Sequence, residues 1–147
     1  MPFIKHFIRL SAAALLTLGL AAPSAASAAE LIVIVTGINP DKGLVRFGLY
    51  KDAKSFPKNG QTIAGGKVAV RNGEVRYVFR NLPAGRYAVA LFHDANSNGR
   101  FDKNLLGLPR EGFAFSNGAR AVLSAPTFER AAVTVRGRTT IRVSITY

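Results

Sequence analysis

Apolar residues in this chain recur at every second position, in short runs broken by glycine, proline and asparagine. Period-two alternation belongs to strands with one buried face, because successive Cβ atoms point to opposite sides of a sheet. No stretch sustains the 3.6-residue period of an amphipathic helix. The sharpest signal surrounds Asn72-Gly73. Val68 and Val70 alternate before it, and Val75, Tyr77 and Phe79 alternate with Glu74, Arg76, Val78 and Arg80 after it. An Asn-Gly pair supplies the positive φ that both centres of a type I′ turn require, so a hairpin is expected here.

Residues 31–36 are β-branched and almost wholly apolar, which predicts a strand covered on both faces. Residues 44–50 place Val45, Phe47 and Leu49 on one side. Residues 51–66 read as a polar loop, with Pro57, Asn59-Gly60 and Gly65-Gly66, and 67–71 as a short strand. In 86–94, Tyr87, Val89, Leu91 and His93 share one face and Ala88, Ala90 and Phe92 the other, the pattern of a central strand. A further short strand is expected over 119–123 and one helical turn over 126–130. A terminal hairpin is expected around Gly137, from 131–136 and 139–147, with Ile141, Val143, Ile145 and Tyr147 facing inward. About seven or eight short strands make an all-β, Ig-like or prealbumin-like antiparallel β-sandwich, with a small barrel as the alternative.

Residues 1–28 read as a signal peptide. Lys5, His6 and Arg9 form a basic start, 10–22 are apolar with Leu15, Leu16, Leu18 and Leu20, and Ala26-Ser27-Ala28 fits a cleavage site. An apolar run of about 13 residues falls short of the roughly 20 that span a bilayer. A single exported domain over 29–147 is therefore expected, periplasmic or extracellular, with no transmembrane segment. The chain has no cysteine, which excludes thiol catalysis, disulfides, cysteine-based zinc sites and a lipid-modified cysteine at the cleavage point. The formal net charge is +12, and removing Lys5 and Arg9 leaves 12 − 2 = +10. A basic exported protein meets anionic envelope components: lipid headgroups, polysaccharide or cell-wall polymers. Nucleic acid is not expected, given export and the absence of any long basic run.

After the strand that ends at Asp94 comes a polar loop in which Asp94, Asn96, Asn98, Gly99 and Asp102 repeat the first half of a D-x-N-x-N-G-x-x-D calcium loop. Calcium takes six to eight oxygens; alternate side chains can turn inward together, the backbone carbonyl of Arg100 adds one, and Asp102 contributes directly or through water. Leu105 stands where an EF-hand places its bidentate glutamate, and a strand rather than a helix leads in. This is therefore not an EF-hand. Glu111 is the next carboxylate, and affinity is expected in the weak range of about 10⁻⁴ to 10⁻³ M. The same residues also form Asx-turns with their own backbone, and both readings stand at this point. His93, the sole histidine of 29–147, excludes a two-histidine zinc site. A Ser-His-Asp set drawn from Ser116, His93 and Asp102 lacks a nucleophile-elbow motif. Glu111, Phe113, Phe115, Ser116 and Asn117 complete the candidate binding segment, with core cover and turn chemistry as the plain alternative.

Leu82-Pro-Ala-Gly-Arg-Tyr87 resembles the turn and strand of transthyretin-like and carboxypeptidase regulatory-like β-sandwiches. His93-Asp94-x-Asn96-x-Asn98-Gly99-x-x-Asp102, with Gly107-x-Pro109-x-Glu111-Gly112-x-x-Phe115-Ser116-Asn117, is similar to a bacterial family of small exported proteins classed as a domain of unknown function. The resemblance extends through Pro126-x-Phe128-Glu129-x-Ala131 and implies one sandwich outside the cytoplasm, with no activity attached. The expected role is a non-enzymatic binding or structural module of the envelope, with calcium as the one candidate cofactor. The alternatives are a hydrolase using His93, Asp94 and Glu111, and a carrier of a small apolar ligand between the sheets.

Overall fold

A computed structural model describes residues 28–147. The proposed leader, but for Ala28, lies outside the described residues. Eight strands form two sheets: β1 (Ala29–Thr36), β2 (Leu44–Tyr50), β3 (Ala64–Ala69), β4 (Val75–Leu82), β5 (Gly85–Asp94), β6 (Phe113–Phe115), β7 (Val133–Val135) and β8 (Arg138–Ser144). One sheet has the order β4-β1-β8; the other runs β3-β2-β5-β6, with β7 also paired to β5.

The core lies between the sheets and follows the alternation. Leu31, Val33 and Val35 of β1 and Val75 and Phe79 of β4 face Val45, Phe47 and Leu49 of β2 and Tyr87, Val89 and Leu91 of β5. These buried side chains line the region between the sheets in which the carrier alternative places an apolar cargo. β5 is apolar on both sides for a second reason. Its outer face, with Tyr50 of β2, lies under Phe56 and the short helix α1 (Phe128–Ala131), which bury Ala88 in a smaller cluster. The turn expected at 126–130 thus begins at Phe128, with the Thr127 hydroxyl accepting from the Arg130 N–H as its cap.

Four local expectations are corrected. β8 does not form a hairpin with β7; it pairs in parallel with β1, from Glu30 opposite Arg138 to Thr36 opposite Ser144, so the sandwich is not wholly antiparallel. Residues 119–123 are irregular, with Val122 and Leu123 exposed. β3 begins at Ala64 and takes in Gly65 and Gly66, because a Cβ at Gly66 would collide with the Tyr77 ring, whose hydroxyl donates to the Gly65 carbonyl at 2.9 Å. Tyr147 is exposed rather than inward-facing.

Asn72 and Gly73 do adopt positive φ, 56° and 68°. The Asp41 carboxylate accepts both their N–H groups, at 2.9 and 3.0 Å. One bridge, Arg71 to Glu74, closes the turn; beyond it β3 lies in one sheet and β4 in the other. The turn hands the chain across the sandwich instead of closing a long hairpin.

Candidate functional site

Strand alternation separates the two residues at the end of β5. His93 continues the inward series of Tyr87, Val89 and Leu91, while Asp94 continues the outward series of Ala88, Ala90 and Phe92. Both are fully buried. His93 Nε2 donates to the Lys42 carbonyl at 2.7 Å, since a carbonyl can only accept. Nδ1 is left to accept from the Tyr147 hydroxyl at 2.8 Å, and that hydroxyl in turn accepts from the Asn39 N–H at 2.7 Å. Both ring nitrogens are thus committed to the chain, and neither meets a carboxylate. The Ser116–His93–Asp102 set drawn from sequence is not assembled either. Ser116 Oγ accepts from Val89 N–H at 2.8 Å and donates to the Ala131 carbonyl at 2.5 Å.

That role of Ser116 has a backbone cause. β6 pairs with β5 at residues 90–92 and β7 pairs with it at 85–87, both on the same edge. The gap leaves the Val89 N–H without a strand partner, and Ser116 supplies one while tying β5 to the end of α1. Asn117, at φ 58°, adds a bond from Nδ2 to the Arg130 carbonyl at 2.9 Å. Both residues of the candidate segment position α1.

Asp94 is the hub of the 95–102 loop. Oδ1 accepts from Asn98 N–H at 3.0 Å; Oδ2 accepts from Gly99 N–H at 2.9 Å and from Arg46 Nε at 2.6 Å. Arg46 comes from the neighbouring strand, opposite Phe92 and hence diagonal to Asp94 on the same face. Burial pushes the Asp94 carboxyl upward, but the guanidinium and the two backbone N–H groups outweigh it and hold the group below the usual aspartate range. Asn96 and Asn98 accept from Asn98 N–H and Arg100 N–H through their side-chain oxygens, in consecutive Asx-turns. Their amide nitrogens converge on Asp102 Oδ2 at 2.8 and 2.9 Å. Glu111 Oε2 accepts from Asp102 N–H at 3.0 Å, and Glu111 Oε1 is buried without a partner. The loop is thus closed by its own hydrogen bonds, with Arg46 placing positive charge against Asp94. Among the described residues, no three acidic or histidine side chains converge as a preformed metal cage.

Glycines allow this end of the molecule to close. A Cβ at Gly43 would run into the backbone of Asp94 and Ala95. One at Gly112 would sit 2.5 Å from Ile145 and from the Tyr147 ring. Leu82-Pro-Ala-Gly-Arg-Tyr87 is explained in the same way: the buried Tyr87 donates its hydroxyl to the Pro83 carbonyl at 2.7 Å, four residues upstream, and so fixes the corner between β4 and β5.

A family model matches residues 33–142, from the middle of β1 to β8, and includes the whole β5–β6 loop. The chain belongs to DUF2141, described as an uncharacterized protein conserved in bacteria. Comparison with curated proteins and with solved structures returned no match. The match spans most of the sandwich and the whole Asp94 loop, and its description names no chemistry.

The loop also builds a recess that sequence reasoning missed. Phe101 lies between Arg100 and Asp102 and packs on Phe92 and Phe113, with ring centroids 5.4 and 5.8 Å apart. Phe113 meets Phe115 at 5.9 Å, and Phe115 meets Phe56 at the same distance. Phe92, Phe101, Phe113 and Phe115, with Tyr50, wall an open cleft of about 430 Å³ on the outer face of the five-stranded sheet. Gly48 and Ala90 stand opposite each other in register at its floor, with the Thr62 methyl and the Tyr50 ring lying close over Gly48. Arg46 and Lys103 line it, and no carboxylate does. The signal in the sequence was the small residue at Gly48 in an otherwise large-residue strand; its meaning depended on the β2–β5 register.

Proposed function

We propose that this chain is an exported, non-enzymatic binding module of the cell envelope, and that its ligand is a small organic anion with an apolar body. The cleft carries the reading: aromatic walls and the Ala90 floor accept the apolar part, while Arg46 and Lys103 attract the charge. Arg46 spends its Nε on Asp94, but Lys103 makes no ion pair among the described residues. The commitment of both His93 nitrogens to the backbone and to Tyr147 supports binding over hydrolysis.

Dodecanoate, dodecanol and inorganic phosphate separate the two halves of such a ligand in titration calorimetry. Dodecanoate is expected to bind, with the other two at least tenfold weaker. Ala90→Leu, which raises the floor, is expected to abolish binding without unfolding the protein, and Lys103→Glu to weaken it. Dodecanoate binding that is absent, or indifferent to Ala90→Leu, would refute the cleft as the ligand site.

A second reading, weak calcium binding at Asp94, Asn96, Asn98, Arg100 and Asp102, rests on one observation: the buried, unpartnered Glu111 Oε1 beside Asp102. The ion would have to compete with Arg46 for Asp94. Thermal unfolding in EDTA, then with calcium to tens of millimolar, tests it. A calcium-selective rise of about 2.7 kcal/mol at one hundred times Kd, lost in Asp102→Ala and Glu111→Gln, is the expected result. An unchanged midpoint would leave the loop as turn chemistry.

A further inference from the structure

Two loops beside the cleft hold large apolar side chains out in solvent. Leu105, Leu106 and Leu108 are 106%, 83% and 57% exposed, and Val122 and Leu123 are 82% and 100% exposed. Single exposed leucines need no explanation. Here five such residues stand on two loops that border one recess, since Lys103 of the first and Ala125 of the second both line the cleft.

The first tip is built to project. The Asn104 side-chain oxygen accepts from Leu106 N–H and Leu108 N–H at 2.9 and 3.0 Å. Asn104 N–H donates to the Leu108 carbonyl at 2.8 Å, and Gly107 N–H to the Asn104 carbonyl at 2.9 Å. Lys103 and Pro109 close the base as a bridge. The turn satisfies its backbone internally, so the leucines stand away from the core by construction. Charge around the tips has one sign. Lys103, Arg110 and Arg120 are exposed, and the sole carboxylate between Lys103 and Phe128 is the buried Glu111.

Apolar tips set among cations match a surface that offers hydrocarbon beneath a layer of negative charge. We infer that the 103–110 and 119–125 loops dock this protein on a lipid bilayer rich in anionic headgroups, with Leu105, Leu106, Val122 and Leu123 entering the interface. This deepens the proposed binding role and rests on that role being exerted in the envelope. The dodecanoate titration tests the cleft separately, so either reading can fail alone.

The chain has no tryptophan, so Leu106→Trp provides a clean reporter. With vesicles of phosphatidylglycerol and phosphatidylethanolamine at about 0.1 M salt, its emission should shift to the blue and be quenched by lipids brominated on the acyl chain. Neutral phosphatidylcholine vesicles should give little of either effect. In the otherwise native chain, Leu105→Ser with Leu106→Ser, or Val122→Ser with Leu123→Ser, should lower the vesicle partition coefficient at least tenfold, with an unchanged circular dichroism spectrum. No partition onto anionic vesicles would overturn the inference. It would also be overturned if partition survived both serine pairs but fell in Arg76→Gln with Arg142→Gln, which would move the contact to the opposite face of the sandwich. Concentration-dependent dimerisation abolished by the same serine pairs would reassign the tips to a second copy of the chain.

Discussion

At Asp94, three donors meet a carboxylate that solvent does not reach. Removing it leaves the Arg46 guanidinium without its partner and two turn N–H groups without an acceptor. Asp94→Ala should cost about 2–4 kcal/mol, read as a lower urea midpoint at constant m-value. The pH dependence has a definite sign. The folded carboxyl titrates below its unfolded value of about 3.9, so the unfolded chain takes up the proton first as pH falls. Its contribution is complete above that value and is lost as pH drops through the folded one. The part of the acid destabilisation below about pH 4 that Asp94 supplies should be missing from Asp94→Asn. Ser116 makes the same kind of argument without charge. Ser116→Ala strands a buried N–H and a buried carbonyl, and should cost about 2–3 kcal/mol while exposing the Val89 amide to faster hydrogen exchange. A merely solvent-facing turn serine would show neither effect.

Elements explain which parts of this molecule were readable in advance. β1, β2, β4 and β5 follow directly from their apolar runs, and the double-sided apolarity of β5 correctly marked it as central. Periodicity reports that a segment is a strand, not what it pairs with. The parallel docking of β8 on β1 joins residues 108 apart at Glu30 and Arg138, and a local turn at Gly137 gave no sign of it. The loop was legible as Asx chemistry around Asp94, Asn96, Asn98 and Asp102. Arg46 as the partner of Asp94 was not, because the pair depends on a register between strands 48 residues apart. The alternation that put His93 and Asp94 on opposite faces was visible in the sequence, and it keeps apart two side chains that the hydrolase alternative named together. The cleft was hidden for a related reason: its walls are rings from β2, β5, β6 and the loop after Asp94, brought together by the pairing of β5 with β2 and β6.

Across the whole molecule, basic charge is distributed unequally between faces. Arg76 and Arg80 of β4 and Arg138 and Arg142 of β8 alternate onto the outer face of the three-stranded sheet, where Glu30 bridges Arg80 and Arg138 at 3.4 and 3.2 Å. Exposed bridges of this kind add little to stability. The tie at the other end should matter more. Tyr147→Phe removes the one partner that His93 Nδ1 has among the described residues, and should lower stability by about 1–3 kcal/mol in a denaturant titration.

The parallel pairing of β1 with β8 also settles where anything attached to this chain must hang. Both strands run toward the same pole, so Ala29 lies near Gly137 at one pole and Tyr147 lies against His93 at the other, a strand length of roughly 25 Å away. A handle fused at the first pole holds the Asp94 loop outermost, like a lamp on a post. One fused after Tyr147 is wedged into the loop's own footing. Immobilised or tagged samples of this protein should therefore be gripped by the front end.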